Sequence, residues 1–197
     1  MSQYIVKLGG TIAMPGNMMR VLIVLYEGFT EYEYQIPILA FHHFGISFDT
    51  VGLEAPVVTG MIGLKASLAK TLAEVDAENY TALFLPGLDR STREQAMQNE
   101  RLMALLREFD QAKKLIAAVC GAPTLLGKAG ILKGRRFCSD VQAHPVFEQA
   151  IRVQESAVQD ENVITGLGAR IFHFTALLIE ALAGREKAVE YQRWAGI

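Results

Sequence analysis

Short apolar runs alternate along this chain with segments in which apolar residues recur every three or four positions. Three continuous apolar runs are typical of strands buried on both faces of a parallel sheet, namely 20–26, 81–85 and 115–119. Helical spacing is found in four longer segments, namely 30–44, 91–112, 170–183 and 186–194. This alternation predicts an α/β protein, a doubly wound sandwich with a mostly parallel central sheet.

Weaker patterns predict the smaller elements. Residues 46–52 alternate as a second strand does, and residues 55–70 contain short β-like pieces that predict a small hairpin. A further strand is predicted at 135–139. Near the end of the chain, strands at 153–157 and 162–165 are predicted on either side of an acidic turn.

Cys120 stands where the buried run 115–119 ends and a helix is predicted to begin. Its neighbours Gly121 and Ala122 are small, and Pro123 suits a first helical turn, so the turn resembles a nucleophile elbow. A helix N-terminus favours a thiolate and lowers the pKa of such a cysteine to roughly 3.5–7.5, against about 8.5 when free. The alternative is a small, inert core cysteine. The turn alone does not decide between them.

Glu33 is predicted to face the sheet, because Ile36 and Ala40 follow it at helical spacing. A carboxyl group in that position needs a hydrogen-bond partner or a proton. The alternative is a capping box in which Glu33 pairs with Thr30 at the start of the helix. Glu31 is expected to face another way and to be solvated.

Composition limits the class of protein. The chain has 197 residues, of which 51% are hydrophobic and 20% charged, with a net charge of −2. These values predict one globular domain over 19–197, preceded by an extension of unclear role over 1–18. They do not favour binding to nucleic acid or to an anionic membrane. No run is long enough to span a membrane and no signal peptide is recognisable, so a cytoplasmic location is expected.

Motifs for bound groups are missing from the sequence. It contains no G-x-G-x-x-G and no Walker A loop, and neither its two cysteines nor its four histidines have metal-ligand spacing. We therefore expect no cofactor and no metal. Among the histidines, His144 precedes Pro145 in a predicted loop downstream of Cys120, which makes it a candidate catalytic base. The alternative is an exposed loop histidine.

Four stretches together carry a resemblance to a known family: GFTEYE (28–33), LPG (85–87), AAVCGAPTLLGKAGILKG (117–134) and AHP (143–145). They resemble the DJ-1/PfpI superfamily, also called ThiJ/PfpI, over residues 19–183. The resemblance is closer to the DJ-1-like branch than to PfpI peptidases, which carry a histidine where this chain has Gly121. It implies a flavodoxin-like fold and a homodimer.

The resemblance also implies roles for individual residues. Cys120 matches the nucleophilic, oxidisable cysteine, and Glu33 matches the glutamate that holds a proton and hydrogen-bonds the sulfur. His144 matches the family histidine. The backbone N–H groups of Gly121 and Leu88 would form an oxyanion hole. Family members commonly have glycine where this chain has Leu88, a change that keeps the N–H group but makes the pocket smaller or more apolar.

Three hypotheses for function follow from the resemblance. The first is a cofactor-independent cysteine enzyme that acts on small electrophilic carbonyl compounds, either glyoxalase III-like or a related hydrolase or hydratase. The second is a redox-sensing, stress-protective or chaperone-like protein in which Cys120 is oxidised to a sulfinate. The third is a small-molecule binding domain with vestigial chemistry.

Overall fold

The computed structural model describes residues 19–197, and the predicted extension 1–18 lies outside the described residues. The described part of the chain contains ten strands: β1 (Arg20–Leu25), β2 (Ser47–Gly52), β3 (Val57–Thr59), β4 (Lys65–Ser67), β5 (Ala82–Leu85), β6 (Leu115–Val119), β7 (Arg136–Phe137), β8 (Ile151–Arg152), β9 (Ala157–Asp160) and β10 (Val163–Gly166). It also contains six α-helices: α1 (Glu31–Phe44), α2 (Arg90–Gln98), α3 (Glu100–Gln111), α4 (Pro123–Lys128), α5 (Ile171–Ala183) and α6 (Arg185–Ala195).

Six strands form the central sheet, in the order β2-β1-β5-β6-β10-β9. The first five run parallel, and β9 pairs antiparallel with β10 at one edge. Counted within this sheet, the parallel strands follow the 2-1-3-4-5 order of flavodoxin-like folds. Strands β1, β5 and β6 are buried almost throughout, as their continuous apolar sequences require. The predicted α/β, flavodoxin-like fold is confirmed.

Helix α3 shows how sequence determines one of the covering helices. Its side chains Leu102, Leu105, Leu106 and Phe109 are fully buried. The helix begins after Asn99, whose side chain accepts a hydrogen bond of 2.9 Å from the N–H of Leu102. The apolar stripe packs against β6, so the hydrophobic core extends from the sheet into this helical layer.

Among the smaller elements, the strands predicted at 46–52 and 162–165 are present as β2 and β10, one hairpin is also confirmed, and two predicted strands need correction. Strands β3 and β4 pair antiparallel, so the predicted hairpin is present. The strand predicted at 135–139 is only β7, two residues long and paired with β8. The strand predicted at 153–157 was placed too early, since β9 extends to Asp160. Acidic and amide side chains are tolerated there because β9 is an edge strand with one solvated face.

The carboxyl ends of the central parallel strands meet at one edge of the sheet, which we call the carboxyl edge. Gly87 follows β5, Cys120 follows β6 and Gly168 follows β10, while α1 begins soon after β1. Ligands of such sheets bind at this edge. The fold therefore brings the predicted cysteine and glutamate to the same place from distant parts of the sequence.

Candidate active site

Cys120 occupies a tight turn between β6 and α4. Its φ is +61°, a left-handed conformation that non-glycine residues rarely adopt. Three hydrogen bonds hold it there: its N–H donates to the carbonyl of Gly166 at 2.9 Å, and its carbonyl accepts from Ser139 Oγ at 2.6 Å and from the N–H of Asp140 at 3.2 Å. The side chain is partly exposed, whereas the second cysteine, Cys138, is buried. The fold thus maintains a strained backbone to present this sulfur.

Glu33 is fully buried beneath Cys120. Its Oε2 accepts a hydrogen bond of 2.9 Å from the N–H of Gly87, and its Oε1 accepts one of 3.1 Å from the hydroxyl of Tyr32, so the carboxyl group is held beside the Cys120 side chain. The capping-box alternative is wrong, because Thr30 caps α1 without any side-chain hydrogen bond. Glu33 faces the sheet, as its helical spacing predicts.

Two glycines make room for this carboxyl group. A Cβ at Gly87 would lie 2.0 Å from Glu33 Oε2 and 2.8 Å from the Cβ of Cys120. A Cβ at Gly168 would lie 2.1 Å from Glu33 Oε1 and 3.2 Å from Asp140 Oδ2. No side chain fits at either position, so the glycines that follow β5 and β10 are the reason the carboxyl groups can approach the sulfur.

Asp140 is a second carboxyl group at the sulfur, and the sequence did not indicate it. Its side chain lies beside that of Cys120, and its Oδ2 accepts a hydrogen bond of 2.7 Å from the N–H of Gly168. The available signal was a lone acid shortly after the strand predicted at 135–139. The thiol of Cys120 therefore lies between the carboxyl groups of Glu33 and Asp140.

Burial controls the protonation of this group of acids. Loss of hydration raises the pKa of Glu33 above its ordinary value. Loss of hydration, followed by the nearby charges of Glu33 and Asp140, raises the pKa of Cys120. This is the opposite of the lowered pKa that a helix N-terminus predicted. The two groups titrate as a coupled pair, and the site retains a proton to a higher pH than exposed groups would.

Gly121 and Leu88, whose N–H groups are the two predicted oxyanion donors, lie next to each other. A Cβ on Gly121 would stand 3.3 Å from the carbonyl oxygen of Leu88. Neither the N–H of Gly121 nor that of Leu88 donates to an acceptor within residues 19–197. Both amides are therefore available to an oxygen atom bound close to Cys120.

His144 is directed elsewhere. Its Nδ1 accepts from the N–H of Val146 at 3.4 Å, and its Nε2 lies 3.5 Å from a carboxylate oxygen of Glu94. Its polar contacts within residues 19–197 do not include Cys120 or Glu33. The structure does not bring this predicted base to the thiol, and Asp140 occupies that place.

Glu31 differs from its expected environment. It is buried, and its Oε1 accepts hydrogen bonds from the N–H groups of Ile62 at 2.8 Å and Leu64 at 3.4 Å. The carboxylate therefore fastens the β3–β4 hairpin to the start of α1. The expectation that Glu31 is solvated was wrong, because its partners come from a distant hairpin.

Residues 19–197 contain neither a metal-binding cluster nor a membrane-spanning helix. No group of three or more histidine, cysteine or acidic side chains among residues 19–197 is arranged to hold a metal ion. In the same region, every helix is too short or too polar to cross a bilayer.

Comparison with known proteins shows to which family the chain belongs. The sequence profile of the DJ-1/PfpI family matches residues 19–181. The chain belongs to the DJ-1/PfpI family. Among characterised sequences it is similar to protein dj-1beta of Drosophila melanogaster, with 31% identity over 175 residues, covering 86% of this chain and 92% of that protein. It is also similar to a deglycase of Thermococcus kodakarensis, with 30% identity over 62% of this chain and 73% of the deglycase.

Solved structures of the DJ-1/PfpI family share the fold. Drosophila melanogaster DJ-1beta superimposes with a TM-score of 0.82 at 26% identity, covering 92% of this chain and 99% of that chain. A DJ-1 superfamily protein from Salmonella typhimurium gives a TM-score of 0.80 at 25% identity, covering 90% and 98%. The similarity extends over nearly the whole described domain.

Proposed function

We propose that this member of the DJ-1/PfpI family is a cofactor-independent cysteine enzyme that acts on small electrophilic carbonyl compounds, in the manner of a glyoxalase III. The observation that carries the proposal is the placement of the Cys120 thiol between two carboxyl groups, next to the undonated N–H groups of Gly121 and Leu88. Relatives named as deglycases, from Thermococcus kodakarensis and Pyrococcus furiosus, support an enzymatic role.

The first step is addition of the thiol to an aldehyde carbon. A bond forms between Sγ of Cys120 and the carbonyl carbon, and the thiol proton passes to the carboxylate of Glu33. The carbonyl electron pair moves to oxygen, where the N–H groups of Gly121 and Leu88 stabilise the negative charge. Return of the proton to that oxygen completes a hemithioacetal. The raised pKa of Glu33 suits this role, because it makes the carboxylate a stronger base than an exposed carboxylate.

With a 2-oxoaldehyde, the second carboxyl group completes the reaction. Asp140 removes the proton from the hemithioacetal carbon and delivers it to the neighbouring carbonyl carbon. The hemithioacetal hydroxyl gives up its proton and becomes the thioester carbonyl, while the neighbouring carbonyl oxygen takes up a proton and becomes a hydroxyl group. The product of this shift is the thioester of a 2-hydroxy acid. Water then cleaves the S–C bond and restores the thiol, so the net change is addition of one water molecule. The sequence of steps needs no oxidant, metal or external thiol.

The test is turnover of methylglyoxal. We expect the purified protein to consume it and form lactate, the Cys120→Ser variant to fall to the uncatalysed rate, and the Cys138→Ser variant to retain activity. Cys138 is the matched control because it is the other free cysteine and lies buried against Thr165. Turnover that survives Cys120→Ser, or its absence from the unaltered protein, would contradict the proposal.

A redox-sensing function is the second candidate. It is favoured by the partial exposure of Cys120 and by the position of the Glu33 carboxyl group beside it, where a protonated carboxyl would donate a hydrogen bond to a sulfinate oxygen. Mild peroxide treatment followed by mass spectrometry would locate any two added oxygen atoms. A sulfinate on Cys120 in a protein with no carbonyl turnover would favour the sensor over the enzyme.

A further inference from the structure

The guanidinium group of Arg93 has no hydrogen-bond partner in the part of the chain that the structure describes. Arg93 lies on α2, and its Nε is buried without a hydrogen-bond partner. It takes part in none of the ion pairs among residues 19–197. The charge of Arg93 acts on the neighbouring acid, Asp89, but the Asp89 carboxylate accepts its side-chain hydrogen bond from Ser91. An arginine is always charged, and a buried donor left unpaired is costly, so this group is suited to an anionic ligand.

Arg93 lies beside the proposed oxyanion donors. Its Nε stands 3.8 Å from the place where a Cβ on Gly121 would be, and Leu88 Cδ2 stands 3.7 Å from the same point. Gly121 directly follows Cys120, and its lack of a side chain leaves this approach open. The cation therefore borders the space in which a substrate oxygen would meet the two amides.

Charge is distributed unevenly around the sulfur. Glu33 and Asp140 place two carboxyl groups on it, whereas Arg93 contributes a positive charge beyond Gly121. An anionic substrate would be repelled by the carboxyl groups and attracted to the guanidinium, which fixes its orientation. The planar fork of an arginine matches a carboxylate with two parallel hydrogen bonds.

We infer that Arg93 binds a carboxylate of the substrate, and that the substrate class is a small aldehyde with a carboxylate one or two carbons from the reacting carbonyl. This inference rests on the proposed function, since it uses the same thiol. The covalent step is the same as in the proposed function. The S–C bond forms, the electron pair of the carbonyl double bond moves to oxygen, and the thiol proton ends on that oxygen. Arg93 takes no proton and determines specificity.

The test measures protection of Cys120 from iodoacetamide in the Cys138→Ser background. The probes are glyoxylate, the shortest member of the class, and glycolaldehyde, an aldehyde of similar size without a charge. For each probe, the alkylation rate is first divided by the rate without probe. The probe concentration that halves this relative rate is then determined. We expect glyoxylate to protect at the lower concentration. In Arg93→Gln, we expect the ratio of the glyoxylate to the glycolaldehyde concentration to rise about tenfold or more.

Two further variants test whether the change in ratio is specific to the guanidinium group of Arg93. Arg90→Gln removes the same charge from an exposed position on the same helix, and we expect its ratio to equal that of the unaltered protein. Arg93→Lys keeps the charge but loses the fork, and an intermediate ratio is expected. An unchanged ratio in Arg93→Gln, or an equal rise in Arg90→Gln, would overturn the inference.

The proposed function and this inference fail in different ways. Methylglyoxal turnover together with an Arg93-independent ratio would leave the enzyme standing and remove the carboxylate site. Arg93-dependent protection by glyoxylate, without turnover of any aldehyde, would support the carboxylate site and contradict the enzyme.

Discussion

Acidic side chains at the two ends of the central sheet are in opposite situations. At the carboxyl edge, Glu33 and Asp140 face a thiol, and neither forms an ion pair within residues 19–197. At the amino ends of β6 and β10, Asp110 and Glu161 accept hydrogen bonds from Arg135 at 2.7 and 3.0 Å. Asn162 adds a hydrogen bond of 3.2 Å to Asp110.

The difference distinguishes charged groups that stabilise the structure from carboxyl groups that can take part in proton transfer. The carboxylates at the amino edge are compensated by a cation whose side chain is only 12% exposed, so they fix loops to the sheet. At the carboxyl edge, the buried Glu33 carboxyl group has no cationic partner within residues 19–197, so it holds a proton more tightly than an exposed carboxyl does and can exchange that proton with a substrate. Burial without a counterion is what gives Glu33 its raised pKa.

The largest expected effect comes from Gly87→Ala. The added methyl group would overlap Glu33 Oε2, which would have to move away from the Cys120 sulfur. We expect loss of carbonyl turnover and a destabilisation of about 1–3 kcal/mol, measured by activity assay and urea unfolding. Gly130→Ala is the control, because it meets no atom within 4 Å but has a φ of +83°. It should cost a similar amount of stability and retain activity; loss of activity in both would refute the steric explanation.

Arg135→Ala should break the amino edge without affecting the carboxyl edge. It leaves Asp110, whose side chain is 23% exposed, without its counterion. We expect a destabilisation of about 2 kcal/mol, from hydrogen bonds to a charged group, with the rate of Cys120 alkylation unchanged. A change in that rate would show that the two edges are coupled.

Glu33→Gln should change stability in a pH-dependent way. Because the pKa of Glu33 is raised in the folded protein, the folded state binds its proton more tightly than the unfolded state does. The stability from this proton is complete below the ordinary pKa of 4.5 and is lost as the pH rises through the folded pKa. We expect the Tm of Glu33→Gln, relative to the unaltered protein, to increase from about pH 4 to about pH 8. A Tm difference that does not change with pH would mean that Glu33 has the same pKa in the folded and unfolded states, which would contradict the raised pKa.

The smallest effect is expected for Lys113→Gln. Lys113 pairs with Glu161 at 3.3 Å, but the two side chains are 67% and 58% exposed. We expect a change of less than about 0.5 kcal/mol in the free energy of unfolding. A loss as large as that of Arg135→Ala would show that the whole amino-edge network acts as one unit.

The fold and two residues of the candidate site, Cys120 and Glu33, could be predicted from local sequence patterns. Continuous apolar runs indicated the parallel strands, the small residues after 115–119 indicated the turn at Cys120, and helical spacing turned Glu33 toward the sheet. Asp140 could not be predicted in this way, because it reaches the sulfur only through the hydrogen bond from its own N–H to the carbonyl of Cys120. Glu31 was missed for the same reason, since its partner Ile62 is 31 residues away.

Other implications of the family resemblance stay predictions. The role of His144 as a base, the homodimer and the cytoplasmic location belong to this group. For His144, the contact with Glu94 gives a specific reason to expect a position outside the chemistry.

The central claim is that Glu33 and Cys120 share protons as a coupled pair, and the most direct measurement is the pH dependence of Cys120 alkylation by iodoacetamide. It is made in the Cys138→Ser background, with and without Glu33→Gln. Glutamine keeps the size of the side chain and one of its two acceptor oxygens, but it carries no charge to oppose a thiolate. We predict that Glu33→Gln lowers the apparent pKa of alkylation. An unchanged or raised apparent pKa would contradict the claim.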